Sequence, residues 1–341
     1  MSDLFKENRV KAFVKLGDFL KILDESFKNI IENSKHKNAW FNPEQVLSAI
    51  YANGQMLNQN DLINFSKDIP KINTHPKKVG LILAGNIPMV GFHDILTVLL
   101  TGNIALIKLS SQDDLLIPAV LSKLITIEPN FKNQIQFVER LENFDAVIAT
   151  GSNNSSRYFD YYFSKVPNII RKNRNSVAIL NGQETTEELK ELGNDIFNYY
   201  GLGCRNVSKL FVPKDYVFNH FFESIEKFNT IINHHKYNNN YDYNKSIFLV
   251  NKNQHLDNGF LLVAKDERMF SPLAVVYYEE YDSLNQVIEK VNAKAEEIQV
   301  VVSTIKENIL PAKVNFGESQ NPKLWDFADG VDTIAFLNSL N

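Results

Sequence analysis

Apolar residues near the start of the chain recur every three or four positions, at Phe5, Val10, Phe13, Leu16, Leu20, Leu23 and Phe27. That period predicts an amphipathic helical region from Leu4 to about Asn33. Two shorter helices are expected after Asn42-Pro43 and after Asn60, where asparagine can cap a start. From Lys78 the pattern changes to short, nearly continuous apolar runs separated by helical stretches. VGLILAG, NIALIKL, IQFVE, AVIATG and SVAILNG read as strands, with helices from Met89 to about Leu100 and from Leu115 to Ile127. Strands of this kind bury both faces, which predicts a parallel sheet covered by helices. This is the layout of a nucleotide-binding α/β domain.

After Gly182 the run Thr185-Thr186-Glu187-Glu188 has the form of a capping box. The helix it opens places Leu189, Leu192, Ile196 and Tyr199 on one face and should stop near Gly201. A second α/β set follows, with KLFVP, IFLV, LAVVYY and IQVVVST as strands and a helix from Ser283 to Ala295. HHKYNNNYDYNKS between them reads as a solvated loop, since long polar connections usually lie on the surface. The expected division is an α/β domain with its helical cover over 1–182 and a second α/β domain over 183–309. The segment from about 310 to 341 should pack back on the first domain or on a partner. There is no internal repeat.

At 341 residues the chain exceeds the usual size of a single core, which agrees with two domains. Its 44% hydrophobic and 22% charged residues describe a soluble globular protein. A net charge of -4 provides no general affinity for nucleic acid or anionic membranes. The first residues lack the apolar core of a signal peptide, and no run approaches a membrane span. One cysteine excludes an intrachain disulfide framework, so a reducing cytoplasm is the expected setting. His234 and His235 lack a convincing set of metal partners, and no metal is expected.

The single cysteine, Cys204, lies in YYGLGCRNVSKLFVP. By itself a lone cysteine reads first as a small buried hydrophobe, and reactivity needs an activating environment. Its placement just past a helix end, beside Gly201 and Gly203, leaves a nucleophile open as the alternative.

Several short segments then stand in an order that resembles the aldehyde dehydrogenase superfamily. Within it they resemble the long-chain acyl-CoA reductases of the bacterial bioluminescence type, from about Lys78 to Pro272. LILAGNIPMV is similar to the family's Asn-x-Pro motif, which implies that Asn86 points its amide at a developing oxyanion. TGNIALIKLSSQD resembles the strand leading to a ribose-binding lysine, here Lys108. ATGSNNSS resembles a turn beside the cofactor phosphates and nicotinamide, matching Thr150, Gly151 and Ser152, with Ser156 where the family has a final glycine. YYGLGCRNVSKLFV resembles the nucleophile motif, with Cys204 as the nucleophile, Gly201 three residues before it and Lys209 as the basic residue usual five positions later. MFSP resembles the Phe-x-Pro motif after a cofactor-contacting glutamate, which leaves Glu267 and Arg268 as candidates for that contact.

The resemblance implies a two-domain aldehyde dehydrogenase-like α/β fold and reduction of an acyl thioester through a thioacyl-cysteine. Substrates would be an acyl-CoA or an acyl-protein thioester, and the protein would form a homo-oligomer. Oxidising relatives carry a water-activating glutamate in a Leu-Glu-Leu-Gly-Gly motif. Matching it to AILNGQE puts Ile179 at the base and keeps Gly182 as a cofactor-side glycine. NAD-preferring relatives carry an acid three residues after the ribose lysine, where this chain has Ser111, preceded by Ser110. The expected cofactor is therefore NADPH, with NADH also able to serve. Two alternatives stay open: an acylating enzyme for short or polar acyl-CoA or acyl phosphate, and a catalytically idle scaffold. YFDYYF and FNHFF could line an acyl tunnel or be ordinary core.

Overall fold

The computed structural model describes residues 2–69 and 75–340. The predicted helical start is two helices, α1 (Ser2–Lys21) and α2 (Glu25–Ser34). They part because Asp24 caps α2, its carboxylate accepting the Phe27 N–H at 2.9 Å. Helix α3 (Pro43–Met56) starts on the Asn42 side chain as expected. The cap of α4 (Gln59–Ser66) is Asn58, not Asn60.

The first sheet follows, built from β1 (Lys78–Ile82), α5 (Phe92–Leu100), β2 (Ile104–Lys108), α6 (Leu116–Ile127), β3 (Ile135–Phe137), β4 (Ala146–Thr150), α7 (Asn153–Phe163) and β5 (Asn168–Arg171). All strands run parallel in the order β3-β2-β1-β4-β5. The chain builds outward in one direction to β3 and in the other from β4, so the strand order reverses between β1 and β4. Crevices at such reversals are where open α/β sheets bind ligands.

The second sheet comprises β6 (Asn175–Ile179), α8 (Thr186–Phe197), β7 (Val207–Pro213), α9 (Asn219–Ile225), α10 (His235–Val250), β8 (Leu256–Asp257), β9 (Leu262–Lys265), β10 (Val275–Tyr281), α11 (Leu284–Ala293), β11 (Ile298–Val302) and β12 (Ala312–Val314). Its order is β12-β11-β6-β7-β10-β9-β8, parallel except for the β8–β9 pair.

Three expectations change here. SVAILNG, read as part of the first sheet, forms β6 between β11 and β7 of the second. HHKYNNNYDYNKS and the supposed strand IFLV form one helix, α10, and bury Tyr237, Tyr241, Asn244 and Phe248. That spacing of four, three and four is helical, with the stripe carried by tyrosine and asparagine in place of aliphatic residues. Of the aromatic stretches, FNHFF is core through Phe218 and Phe221, whereas Tyr158, Tyr161 and Tyr162 on α7 are exposed.

Contacts divide the chain into two compact units, Met1–Asn173 with Pro322–Asn341, and Arg174–Asn321. The first boundary lies before β6, not at Gly182, because β6 pairs only within the second sheet. The second lies past β12 for the same reason. The returning segment, which carries α12 (Thr333–Asn338), packs on the first unit. Arg171, almost fully buried, donates to Ala328 O at 2.6 Å and to Asp94 Oδ1 at 2.5 Å, and His93 Nε2 bonds Leu324 O at 2.7 Å. Among the described residues no helix is long and apolar enough to cross a membrane.

Candidate active site

The capping box at the start of α8 forms, with Thr185 and Glu188 exchanging side-chain and backbone bonds. Leu189, Leu192 and Ile196 bury its apolar face, and the helix ends at Phe197. Tyr199, Tyr200 and Gly201 then adopt left-handed backbone, with φ of 53, 58 and 79°. Glycine takes this conformation without penalty, whereas tyrosine needs its ring held. Both tyrosines are buried, and the Tyr200 ring centroid lies 4.2 Å from that of His234 at the start of α10.

The chain turns again over Gly203–Asn206, closed by Asn206 N–H donating to Gly203 O at 3.0 Å. The Asn206 side chain accepts from Gly203 N–H at 2.8 Å and donates to the carbonyls of Asp195, Ile196 and Asn198 at 3.1, 3.4 and 2.8 Å. Cys204 is half-buried within this turn, and its carbonyl accepts from Ser176 Oγ at 2.9 Å. Asp195, wholly buried on α8, accepts the N–H groups of Gly317 and Ser319 at 2.7 and 3.0 Å. Burial pushes its carboxyl up to about 6 despite these bonds.

Cys204 precedes β7 and so stands at the N-terminal edge of the second sheet. In the parallel β6–β7 pair Ser176 faces Val207 and Ile179 faces Phe211. Ile179 is therefore about 10 Å along the strand from Ser176, towards the other edge. It is 1% exposed in an apolar cluster with Val177, Phe211 and Met269. Gly182 lies further on, in a left-handed turn whose N–H donates to Glu184 at 3.1 Å. The place of Ile179 in the base motif is thus corrected: it does not stand beside the thiol. The residues entering β6 next to the cysteine turn are Arg174, Asn175 and Ser176, none of them acidic.

MFSP does return to the cysteine edge. Met269 O accepts from Ser208 Oγ at 3.3 Å, and Leu273 lies where a side chain on Gly201 would meet it. Glu267 stays exposed in the connection after β9. Arg268 folds onto Asp266, with Nε 2.9 Å from Oδ1, and covers the Tyr277 ring at 4.8 Å. Lys209, wholly buried on β7, holds the same connection through Asp266 O and pairs with Glu279 at 2.9 Å. Burial lowers its pKa, and Glu279 acts against that.

In the first unit the remaining predicted residues gather at the C-terminal edge of β2, β1 and β4, around the reversal of strand order. Asn86 is half-buried in the loop after β1, between Gly85 and the left-handed Met89, φ 66°. Asp113 accepts Met89 N–H at 3.0 Å and Leu116 N–H at 3.3 Å, and Asn38 donates to Gly85 O at 3.0 Å. Gly85 is required because a Cβ there would lie 2.6 Å from Ser110 Oγ. Lys108 ends β2 and donates to Glu139 O at 3.0 Å, with Ser110 and Ser111 in the turn that follows. Thr150 ends β4, Gly151 packs under Phe159, and Ser152 caps α7 by accepting Ser155 N–H at 3.2 Å. Ser156 is buried in the first turn of that helix.

Asn38, Asp113 and Asn206 went unnoticed in the sequence. Asp113 had one readable signal, its place three residues before the first residue of a helix. Burial pushes its carboxyl up to about 6.

The family model for acyl-CoA reductase (LuxC) matches residues 55–311. No curated protein matches the chain. Among solved structures, aldehyde dehydrogenase 21 from Physcomitrella patens, in complex with the reaction product succinate, is 12% identical with a TM-score of 0.71, covering 98% of this chain and 84% of that one. The NAD+ complex of an aldehyde dehydrogenase from Bacillus cereus is 15% identical at TM-score 0.62, covering 89% and 72%. NADP-dependent glyceraldehyde-3-phosphate dehydrogenase from Bacillus halodurans C-125, complexed with NADP, is 13% identical at TM-score 0.62, covering 89% and 74%. These likenesses show the fold. With the family match spanning most of its length, the chain belongs to the LuxC acyl-CoA reductase family and has the aldehyde dehydrogenase fold.

Proposed function

We propose that the protein reduces a long-chain acyl-CoA or acyl-protein thioester to the aldehyde with NADPH, through a thioacyl link to Cys204. The observation that carries this reading is the cysteine turn: a half-buried thiol on a loop clamped at both ends, with no carboxylate entering β6 beside it. The Cys204 thiolate attacks the acyl carbon, the S–C bond forms, and the bond to the leaving thiol breaks. The Asn86 amide, a role implied by the family resemblance, and the Cys204 N–H stabilise the oxyanion, where losing one donor costs about 100-fold to 1,000-fold. Asp113 and Asn38 support the Asn86 loop in advance.

A dinucleotide suits the first unit. The β1–β4 reversal, the Gly151-Ser152 entry to α7 and Lys108 supply a crevice, a helix N-terminus and a cation. When bound, the nicotinamide supplies the hydride that converts the thioacyl group to aldehyde and returns Cys204 to the thiolate. Ser110 and Ser111 place no negative charge against a 2'-phosphate, which favours NADPH. Arg174, Asn175 and Ser176, which enter β6 next to the cysteine turn, offer no carboxylate to activate water, so the thioacyl group persists until it is reduced or returned to a thiol.

Incubation with acyl-CoA esters of graded chain length, followed by intact mass, tests the reading. A single acyl adduct is expected, absent from Cys204→Ala, discharged as aldehyde by NADPH and formed fastest with long chains. A preference for short acyl groups would turn the reading to the other acylating enzymes, and no adduct with any ester would leave a scaffold.

A further inference from the structure

We propose that Asn206 is the positioning residue of the nucleophile: its carboxamide locks the Gly203–Asn206 turn onto the end of α8 and so sets where the Cys204 thiol stands. The inference rests on Cys204 being the nucleophile.

The last carbonyls of a helix have no intrahelical partner. At the end of α8 those of Asp195 and Ile196, with Asn198 just beyond, are met by the Asn206 amide. The same side chain takes the Gly203 N–H on its oxygen. A carboxamide is the short side chain that both donates twice and accepts. Aspartate would keep the acceptor, lose the donors and set a charge against several carbonyls. Serine has one donor and a shorter reach, and glutamine is longer by a methylene. Asn206 is 4% exposed, so these bonds form out of water, where an unmade bond is costly.

The need for such a clamp comes from the segment before it. Left-handed backbone at Tyr199 and Tyr200 is intrinsically unfavourable and persists only where surrounding contacts over-determine it. Tyr200 is held on the upstream side by the His234 ring. Downstream, Ser176 holds the Cys204 carbonyl and Asn206 holds both ends of the turn. Removing the carboxamide frees the turn from the end of α8 and the Gly203 N–H from its side-chain acceptor, and a shift of about 1 Å in the residue that must meet an acyl carbon can cost about 100-fold in rate.

The test compares wild type, Asn206→Ala, Asn206→Asp and Cys204→Ala. Single-turnover acylation by hexadecanoyl-CoA and iodoacetamide labelling across pH are the readouts. Acylation should slow about 100-fold in both Asn206 variants, with half-saturation moving less than about threefold. Labelling of Asn206→Asp should shift to higher pH, because a nearby negative charge disfavours the thiolate. Acylation at the wild-type rate in either folded variant would overturn the proposal. Full turnover by Cys204→Ala would sink the nucleophile reading instead. Hydrogen exchange at the Gly203 amide of the wild-type protein decides the matter if the variants do not fold. Protection of about 100-fold or more is expected, and exchange at the unstructured rate would refute the clamp.

Discussion

Asp113 and Asp195 do similar work in different units: Asp113 accepts Met89 N–H in the loop that carries Asn86 and Leu116 N–H at the start of α6, while Asp195 accepts the N–H groups of Gly317 and Ser319, and Ser319 O accepts from Nη1 of Arg205, the neighbour of Cys204, at 3.5 Å. Both carboxyls are pushed up to about 6 by burial. A folded pKa above the unfolded value near 3.8 means that the native state holds the proton longer. The contribution of such a group to stability is therefore greatest below pH 4 and declines as pH rises through 6. Comparison of Asp195→Asn with wild type by urea unfolding should show the variant gaining on wild type by up to about 3 kcal/mol between pH 4 and pH 7. A constant difference over that range would contradict the burial effect. Only the Asp113–Leu116 bond left a signal in the sequence, at the start of a predicted helix; Met89, Gly317 and Ser319 lie in loops that periodicity does not describe.

Among the elements, α8 is the one the sequence described most fully. Its cap, the apolar residues Leu189, Leu192 and Ile196 and its end before Gly201 are local properties present in the structure, but Tyr199, predicted on the same face, lies past the end at Phe197 in left-handed backbone. Thr185→Ala removes one half of the capping box and should cost about 1 kcal/mol in urea unfolding, with the rate of Cys204 labelling unchanged. A faster labelling rate would mean that the start of this helix governs the turn at its far end. Helix α10 shows the limit of the same method. Its buried stripe is Tyr237, Tyr241, Asn244 and Phe248, and tyrosine and asparagine there mimic the composition of a loop. Tyr237 can be buried because its hydroxyl donates to Phe260 O at 3.0 Å, a partner that no local pattern shows.

At the scale of the whole molecule the two units have separate cores. The apolar cluster of the first includes Leu324, Ile334 and Leu337 from the returning segment, and those of the second draw only on residues between Val177 and Phe316. Leu324→Ala should therefore destabilise the first unit by about 2–5 kcal/mol. Hydrogen exchange should speed up in β1, β2, β4 and α5 and stay unchanged in β6, β7 and β11. Loss of protection in both sheets together would show that the two cores unfold as one.

By itself the sequence determined the parallel α/β character, the helical cover, the helix that delivers the cysteine and the order of motifs that resembles the family. These rest on periodicity, caps and short motifs, which act between residues close along the chain. The tertiary structure alone decided that β6 joins the second sheet, that Cys204 and Ile179 lie towards opposite edges of it, and that Asn206, Asp113 and Asp195 hold the loops. A strand's apolar run is the same whichever neighbour it pairs with, and the partner strand sets which edge each residue occupies.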